Sequence, residues 1–586
     1  MKVMKIFIFW LTLLTCFSLT LGQEDVVMKA MRDELARSMA NLQMENLEKP
    51  YFISYSVQET EAAVVSASLG SLLRSNENRL RILHVEVRVG NPALDNTNFF
   101  SYPTMTSGMV SMFAGTIQLP LDDDYNELRR QIWLATDGVY KKALEDLAKK
   151  RGVLQAKTQI DEIPDFSKEE PTTIKDISPP PKVKLSEGEN LVRDLSGLFK
   201  KLPDIYSSSV QLEVDAIKTC YVNSEGSSFI RTTPLVSLIA VASTQAADGM
   251  PLEDFIAHYG CRMEDLPGKE EVTTQILCLG SDLSKLRQAS LIDQYTGPVL
   301  FEGQAAAELF NQAFTPKLLA TRRPISEIPQ FESYAMMLEN IFLDKLGARV
   351  LPEFLNVTEN PLLAEYEKKR LVGGFKVDDE GVPARETKII ENGILKKLLS
   401  TRNPVRGITK SSGNCRGGGP MPSHLAVTTE AGLSLKDLKE KLLQIIQQQG
   451  KEYGVIIRRV GNPLLKTSRD LMAASFAMPS RDEISVERTI QAYKAFPDGR
   501  EELIRSAEIS GLNLSTFKEI LAASQELTVY SAPFSASLIS LFYLGDSTTP
   551  IVSYVIPSLL FEDITVKKPS GEIPKPPAIK HPFFDK

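Results

Sequence analysis

Histidine is scarce in this chain: 586 residues hold four, His84, His258, His424 and His581. None lies within five residues of another, so no helical histidine pair of the kind that grips zinc can be read. Cysteine is almost as rare. Cys16 sits in the N-terminal segment, and the other four are Cys220, Cys261, Cys278 and Cys415. Four is too few for a disulfide scaffold in a chain this long; they allow three pairings, among which the sequence does not choose. No serine occupies a G-x-S-x-G elbow, and neither a P-loop nor a dinucleotide fingerprint is present. Basic residues are scattered, with no basic run interleaved with aromatics, so nothing points to a nucleic-acid binder. Beyond the N-terminus no segment is suited to span a membrane, since the most apolar late stretch, 535–561, is interrupted by Asp546 and Pro550. No internal repeat recurs at a fixed period.

The N-terminus does carry a signal. Lys2 and Lys5 precede an apolar run over 6–21, and Thr20-Leu21-Gly22 places small residues suitably for a cut before Gln23. Residues 1–22 therefore read as a secretory signal, and the protein is expected to be exported, periplasmic or extracellular. The run falls short of the ~20 apolar residues of a spanning helix, so no stable membrane insertion is expected after its removal. Lipid attachment at Cys16 is disfavoured because Leu13-Leu14-Thr15 lacks the usual small residue before the cysteine. The formal charge of −7 becomes more negative once Lys2 and Lys5 are lost.

A chain of 586 residues exceeds what one core usually holds, so two or three domains are expected. The element pattern predicts an α+β fold. An N-terminal α/β region, 23–152, begins with a helix over 25–44, where Val27, Met31, Leu35, Met39 and Leu42 recur at helical spacing. Strands follow at 51–57, 63–69 and 80–89, then a long helix at 124–150. A linker over 153–186 contains Pro164, Pro171 and Pro179-Pro180-Pro181. A middle α/β region, 187–293, reads as a helix, strands at 208–222, 228–233 and 235–243, and a short helix at 251–259. A strand-rich C-terminal domain spans 294–567, ahead of a proline-rich tail at 568–586. Within it, a strand at 299–301 enters a helix at 302–314. Glu391-Asn392-Gly393 marks a hairpin, because both central residues of a type I′ turn need positive φ. Ser434 caps a helix, and residues 551–567 read as a strand pair broken at Pro557.

The C-terminal domain resembles the TldD/PmbA family of peptidase-associated proteins. The resemblance rests on several segments in order: Tyr295-Thr296-Gly297-Pro298-Val299-Leu300-Phe301, Val377-Asp378-Asp379-Glu380-Gly381-Val382-Pro383, Ile390-Glu391-Asn392-Gly393-Ile394-Leu395-Lys396, Ser412-Gly413-Asn414 and Pro420-Met421-Pro422. It covers about 294–567 well and the earlier regions only in general pattern. By resemblance, TldD-type chains carry His-Glu-x-x-x-His on the helix after the short strand, with a cysteine near the C-terminus, and use zinc to activate water. PmbA-type (TldE) chains lack the motif and pair with a TldD chain. Here the histidine positions are Glu302 and Ala307, the glutamate position is Gly303, and no cysteine follows Cys415. The chain is therefore similar to the PmbA-type members. The resemblance implies a non-catalytic partner of a metallopeptidase acting on unfolded peptides, without a cofactor of its own; zinc is expected only in a TldD-like partner. The expected partners are that TldD-like chain or a second copy of this one, together with unfolded peptide.

Four other groups invite chemistry or binding. Cys415 and His424 flank a glycine-rich stretch and could form a thiol–imidazole pair, which gives a thiol hydrolase as one alternative function. A stand-alone exported peptide-binding or envelope scaffold protein is another. Asn414, Cys415, Gly417, Gly418 and Gly419 form a candidate loop at the wall of a peptide cavity, since glycines let a backbone approach a ligand closely. Glu302 and Glu308 are six apart, poor spacing for one helical face, and read as solvated or capping glutamates. Asp378-Asp379-Glu380 could hold a divalent cation but better fits a tight turn before Pro383.

Overall fold

The computed structural model describes residues 25–100, 115–157, 162–328, 340–465, 484–534, 550–571, 573–579 and 581–584. The expected secretory segment, with Cys16 and the cut before Gln23, lies outside them. Among the described residues no helix is long and apolar enough to cross a membrane.

Asp25 accepts from the backbone N–H of Val27 and Met28 and caps α1 (Val26–Asn41). Two long strands follow, β1 (Pro50–Ser68) and β2 (Ser71–Asn91). The break expected between 57 and 63 is absent, because Gln58 to Ala62 pair on both sides and the ladder carries the polar run through. Next come β3 (Leu94–Asp95), β4 (Thr116–Gln118) and α2 (Tyr125–Gln155). After them run β5 (Thr173–Asp176), α3 (Leu185–Gly197), β6 (Ser207–Asn223), β7 (Ser228–Gln245), β8 (Pro251–Gly260) and α4 (Lys269–Gln288). Among the described residues these strands form one sheet in the order β3-β2-β1-β6-β7-β5, with β4 also on β2 and β8 also on β7. Residues 251–259, expected as a short helix, are the strand β8. A full antiparallel ladder along β7 overrides their local spacing.

The proline-containing stretch 153–186 packs into this half. It contributes β5, parallel to β7. Its Phe166 meets the guanidinium groups of Arg88 and Arg402, 3.7 and 3.9 Å from the ring centroid. Arg402 belongs to the C-terminal half and donates to the Ser167 carbonyl at 2.6 Å, so the stretch ties the two halves together.

Helices cover one face of this sheet. Val210, Leu212 and Val214 pack with α3 and α4, while Ile53, Tyr55, Val57, Val85 and Val87 pack with α1 and α2. Alternation then puts Thr60, Glu213, Asp215 and Tyr259 on the opposite, inner face.

The second half contains β9 (Gln294–Phe301), α5 (Gln304–Leu309), β10 (Leu355–Glu359), β11 (Thr387–Glu391), β12 (Ile394–Leu395), β13 (Cys415–Arg416), β14 (Gly419–Pro420) and β15 (His424–Thr429). It continues with α6 (Leu435–Gln448), β16 (Gly454–Val460), β17 (Thr489–Ala495), β18 (Glu501–Ile504), β19 (Glu508–Ser510), β20 (Ile520–Pro533) and β21 (Ile551–Lys567). The sheet order is β12-β11-β10-β15-β21-β9-β16-β17-β18, with β19 and β20 also on β21. Val299 and Phe301 point into the main core, and Leu300 points to the other face beneath Leu438 and Leu442 of α6. The fold is α+β with a strand-rich C-terminal domain.

Two local expectations about this half had different outcomes. Asn392 (φ 49) and Gly393 (φ 73) make the β11–β12 turn, and a Cβ on Gly393 would fall 2.2 Å from the Leu351 carbonyl oxygen, so only glycine fits. Pro557 does not break β21. It lies opposite a bulge in β20 on one side, and on the other between the end of the β15 pairing at Val555 and the start of the β9 pairing at Leu559. A missing N–H costs little there.

Candidate functional site

The helix that follows β9 carries the family's motif position. Gly303 takes φ 50 and ψ −112 to turn the chain into α5, whose Ala305, Ala306 and Ala307 are fully buried. The helix ends in a π turn, Phe310–Phe314, a geometry often found at functional sites. At its start opens a cleft of about 300 Å³, lined by Glu302, Gln304, Arg458, Ser524, Thr528 and Ser558 among others. Ser558 reaches it because the strands flanking β21 leave a gap at Pro557.

Glu302 sits between two cations. Arg458 Nε donates to its Oε2 at 2.9 Å, and Lys439 Nζ lies 3.1 Å from Oε1, outside good hydrogen-bond geometry. Arg458 also pairs with Glu501 and stacks over Tyr493. A carboxylate so engaged, a glycine and the buried methyl of Ala307 are not a donor set for zinc, which takes about three nitrogen, sulfur or oxygen ligands. Among the described residues no group of three or more His, Cys, Asp or Glu side chains is arranged to hold a metal ion.

Glu308 corrects the expectation of a solvated glutamate, being fully buried. Its Oε1 accepts from the Tyr530 hydroxyl at 2.7 Å and Asn462 Nδ2 at 2.9 Å; its Oε2 accepts from Gln312 Nε2 at 2.8 Å and Asn311 Nδ2 at 3.2 Å. Burial pushes its carboxyl above the usual range, against the pull of these four donors. The Tyr530 hydroxyl also accepts from Gln304 Nε2 at 3.3 Å, so one hydrogen-bond chain links the cleft to the core. Sequence reasoning missed this cluster. The available signal was a pair of amides, Asn311 and Gln312, three and four residues after a glutamate in an otherwise apolar helix.

The glycine stretch forms a tight hairpin. Cys415 and Arg416 pair with Pro420 and Gly419, and the turn residues Gly417 and Gly418 take φ 57 and 79. Asn414 is buried, with Nδ2 3.4 Å from Glu359 Oε1, whereas a Cβ on Gly418 or Gly419 would meet nothing within 4 Å. The Cys415 amide donates to Asp378 at 3.0 Å, and the Gly417 amide donates to Asp379 at 2.7 Å. Asp378 also accepts from the amides of Glu380 and Val382, the tight turn expected before Pro383.

The structure does not assemble Cys415 and His424 as a catalytic pair. Burial, then the charges of Glu380 and Asp378, holds the Cys415 thiol well above its ordinary range. Burial pushes the His424 imidazole down to about 4; its Nδ1 faces the Asn360 carbonyl at 3.2 Å and its buried Nε2 has no partner. No hydrogen bond joins thiol and imidazole. Cys220, Cys261 and Cys278 are likewise free.

Residues 294–568 match the family of PmbA/TldA metallopeptidase C-terminal domains. A metalloprotease of Methanocaldococcus jannaschii is 39% identical over 82 residues, 14% of this chain and 17% of that protein. One from Archaeoglobus fulgidus is 33% identical over 75 residues, 13% and 16% of the two chains. This chain therefore aligns with less than a fifth of either relative. Among solved structures, a proposed modulator of DNA gyrase from Thermotoga maritima superposes with a TM-score of 0.57 at 18% identity, covering 88% of this chain and 96% of that one. TldE from Thermococcus kodakarensis gives 0.56 at 13% identity, covering 92% and 100%. At such identities the superpositions establish the fold. The match over 294–568 makes this C-terminal domain a member of the TldD/PmbA family, and the rest of the chain shares the fold of the superposed structures.

Proposed function

We propose that this chain is the non-catalytic, PmbA-type member of an exported peptidase pair, which holds unfolded peptide and leaves cleavage to a TldD-like partner. The observation that carries this reading is the motif position itself. Glu302 is spent on Arg458 and Lys439, Gly303 has no side chain, and Ala307 is a buried methyl, so zinc chemistry has no ligands there. Zinc then belongs to the partner chain alone.

Peptide binding is supported by the edge of β20. Among the described residues, Leu527 to Pro533 pair with β21 on one side and with no strand on the other. Thr528 of that edge lines the cleft, so an extended peptide could add a strand and lay side chains into it. For the hairpin Asn414–Gly419 as a second wall, the support is that its Gly417 amide donates to Asp379, which in turn pairs with Arg231 of the first sheet.

Purification from the native source tests the pairing. The expected result is a mature chain beginning at Gln23, accompanied by a second chain with an intact His-Glu-x-x-x-His. A chain that retains Met1, or that purifies with no such partner, overturns the corresponding half of the reading.

A further inference from the structure

The inner face of the first sheet meets the second half at two ends. At one end Tyr221 and Phe229 pack on Val377, and Arg231 donates to the Val377 carbonyl and to Asp379. At the other end Phe255 packs on Leu465 and Ile490, and Arg459 pairs with Asp254. Between these contacts the inner face is not filled. Thr60, Ala62, Ile217, Thr233 and Leu235 remain half-buried although they lie in mid-sheet. The result is a crevice between the two halves, pinned at both ends.

The register places three polar groups together in this crevice. Glu213 of β6 lies opposite Ser237 of β7, which lies opposite Tyr259 of β8. Asp215 is two residues along β6 from Glu213 and so shares its face. Asp215 is only 4% exposed, yet it forms no hydrogen bond or ion pair with any described residue. The Tyr259 hydroxyl is also buried without a partner. Buried carboxylates and hydroxyls are nearly always paired, so two unpaired groups on one face need a reason. Burial, and then the neighbouring charge of Glu213, lifts the Asp215 carboxyl to about 7. The Tyr259 phenol is raised by burial, then by Glu308 from the far wall and Glu213 from its own.

We propose that Asp215, Glu213 and Tyr259 form a cation subsite on the crevice wall, which takes a protonated amine of the bound peptide. The amine is either the side chain of a basic residue or the free N-terminus. Glu213 accepts only from the neutral Gln211 amide at 3.3 Å, neither carboxylate has an ion-pair partner among the described residues, and the phenol oxygen has a free acceptor position, so an ammonium supplies the charged donor this face lacks. Tyr530 and Gln304 continue the polar surface from the second half toward the cleft beside α5, along the line a peptide on β20 would follow.

This subsite rests on the peptide-binding reading above, and one experiment separates the two. Short fluorescein-labelled Gly/Ser peptides carrying a central lysine, norleucine or glutamate are titrated into the full chain and followed by anisotropy. Each is used with a free and with an acetylated N-terminus. The expected result is a preference for a lysine or free-amine peptide of about tenfold over the acetylated norleucine one, as for one desolvated charge pair. That preference should vanish in Asp215→Asn and weaken in Glu213→Gln, both checked for native circular dichroism. If wild type binds all the peptides equally, or if Asp215→Asn keeps the preference, the cation subsite is wrong and the peptide reading stands. If no peptide binds wild type, both fall.

Discussion

The two walls of the inter-sheet crevice bury carboxylates in opposite ways. On the wall of the second half, Glu308 is enclosed by four neutral donors that occupy both of its oxygens. On the wall of the first half, Asp215 is almost as deeply buried and has none. Each carboxyl is raised by burial, but only Glu308 recovers part of that cost within the protein. A satisfied buried carboxylate holds the fold together. An unsatisfied one is carried at a cost to stability and is explained by something that binds.

The comparison breaks most visibly at Glu308. Truncation in Glu308→Ala strands Tyr530, Asn462 and Gln312 beside a cavity, and should cost ~3–5 kcal/mol in urea unfolding. A loss below ~1 kcal/mol would mean that the network does not hold α5 and β20 together.

Asp215→Asn should act with the opposite sign. Burial, and then the charge of Glu213, lifts the Asp215 carboxyl from its ordinary 3.8 to about 7. Between those values the folded chain binds more protons than the unfolded one, so stability falls as pH rises through that window. The substitution should therefore leave stability unchanged near pH 3 and raise it progressively to pH 8. A shift of about three units corresponds to at most ~4 kcal/mol. Destabilisation at pH 8 would show that Asp215 has a structural partner after all.

Glu302 falls between these extremes. Its two cations lie at a partly open cleft, and Arg458 keeps Glu501 when Glu302 is lost. Glu302→Ala should cost ~1 kcal/mol or less. A cost several-fold larger would give Glu302 a structural weight like that of Glu308. The smallest effect on stability is expected at the hairpin tip. Gly419→Leu enters open space without positive φ, so the fold should stay within ~0.5 kcal/mol while peptide affinity drops. Unchanged affinity would remove the hairpin from the binding wall.

Local chemistry was legible in the sequence where a short segment decides its own conformation. The Asn392-Gly393 turn needs two positive φ values, and it has them. Ser434 accepts from the Asp437 amide as a helix cap. Features set by distant strands were not legible. Residues 251–259 carry no clear strand pattern and are fixed by the β7 edge. Pro557 is tolerated because a bulge and a gap happen to face it. The same holds at the site. Glu302, Gly303 and Ala307 could be placed by motif order, but the burial of Glu308 and the isolation of Asp215 depend on neighbours hundreds of residues away. Arg458 of β16 reaches Glu302 just before α5, Asn462 and Tyr530 reach Glu308 within it from the segment after β16 and from β20, and no spacing in the helix announces them.

The central claim is that this chain binds unfolded peptide without being the catalyst. Elemental analysis of the purified chain, paired with digestion of an unfolded casein with and without chelator, tests it most directly. The account predicts no stoichiometric zinc and no cleavage, because a glycine, a buried methyl and one ion-paired carboxylate stand at the motif position. One zinc per chain with chelator-sensitive cleavage would contradict it, and would mean that ligands converge elsewhere in the fold to make this chain a peptidase in its own right.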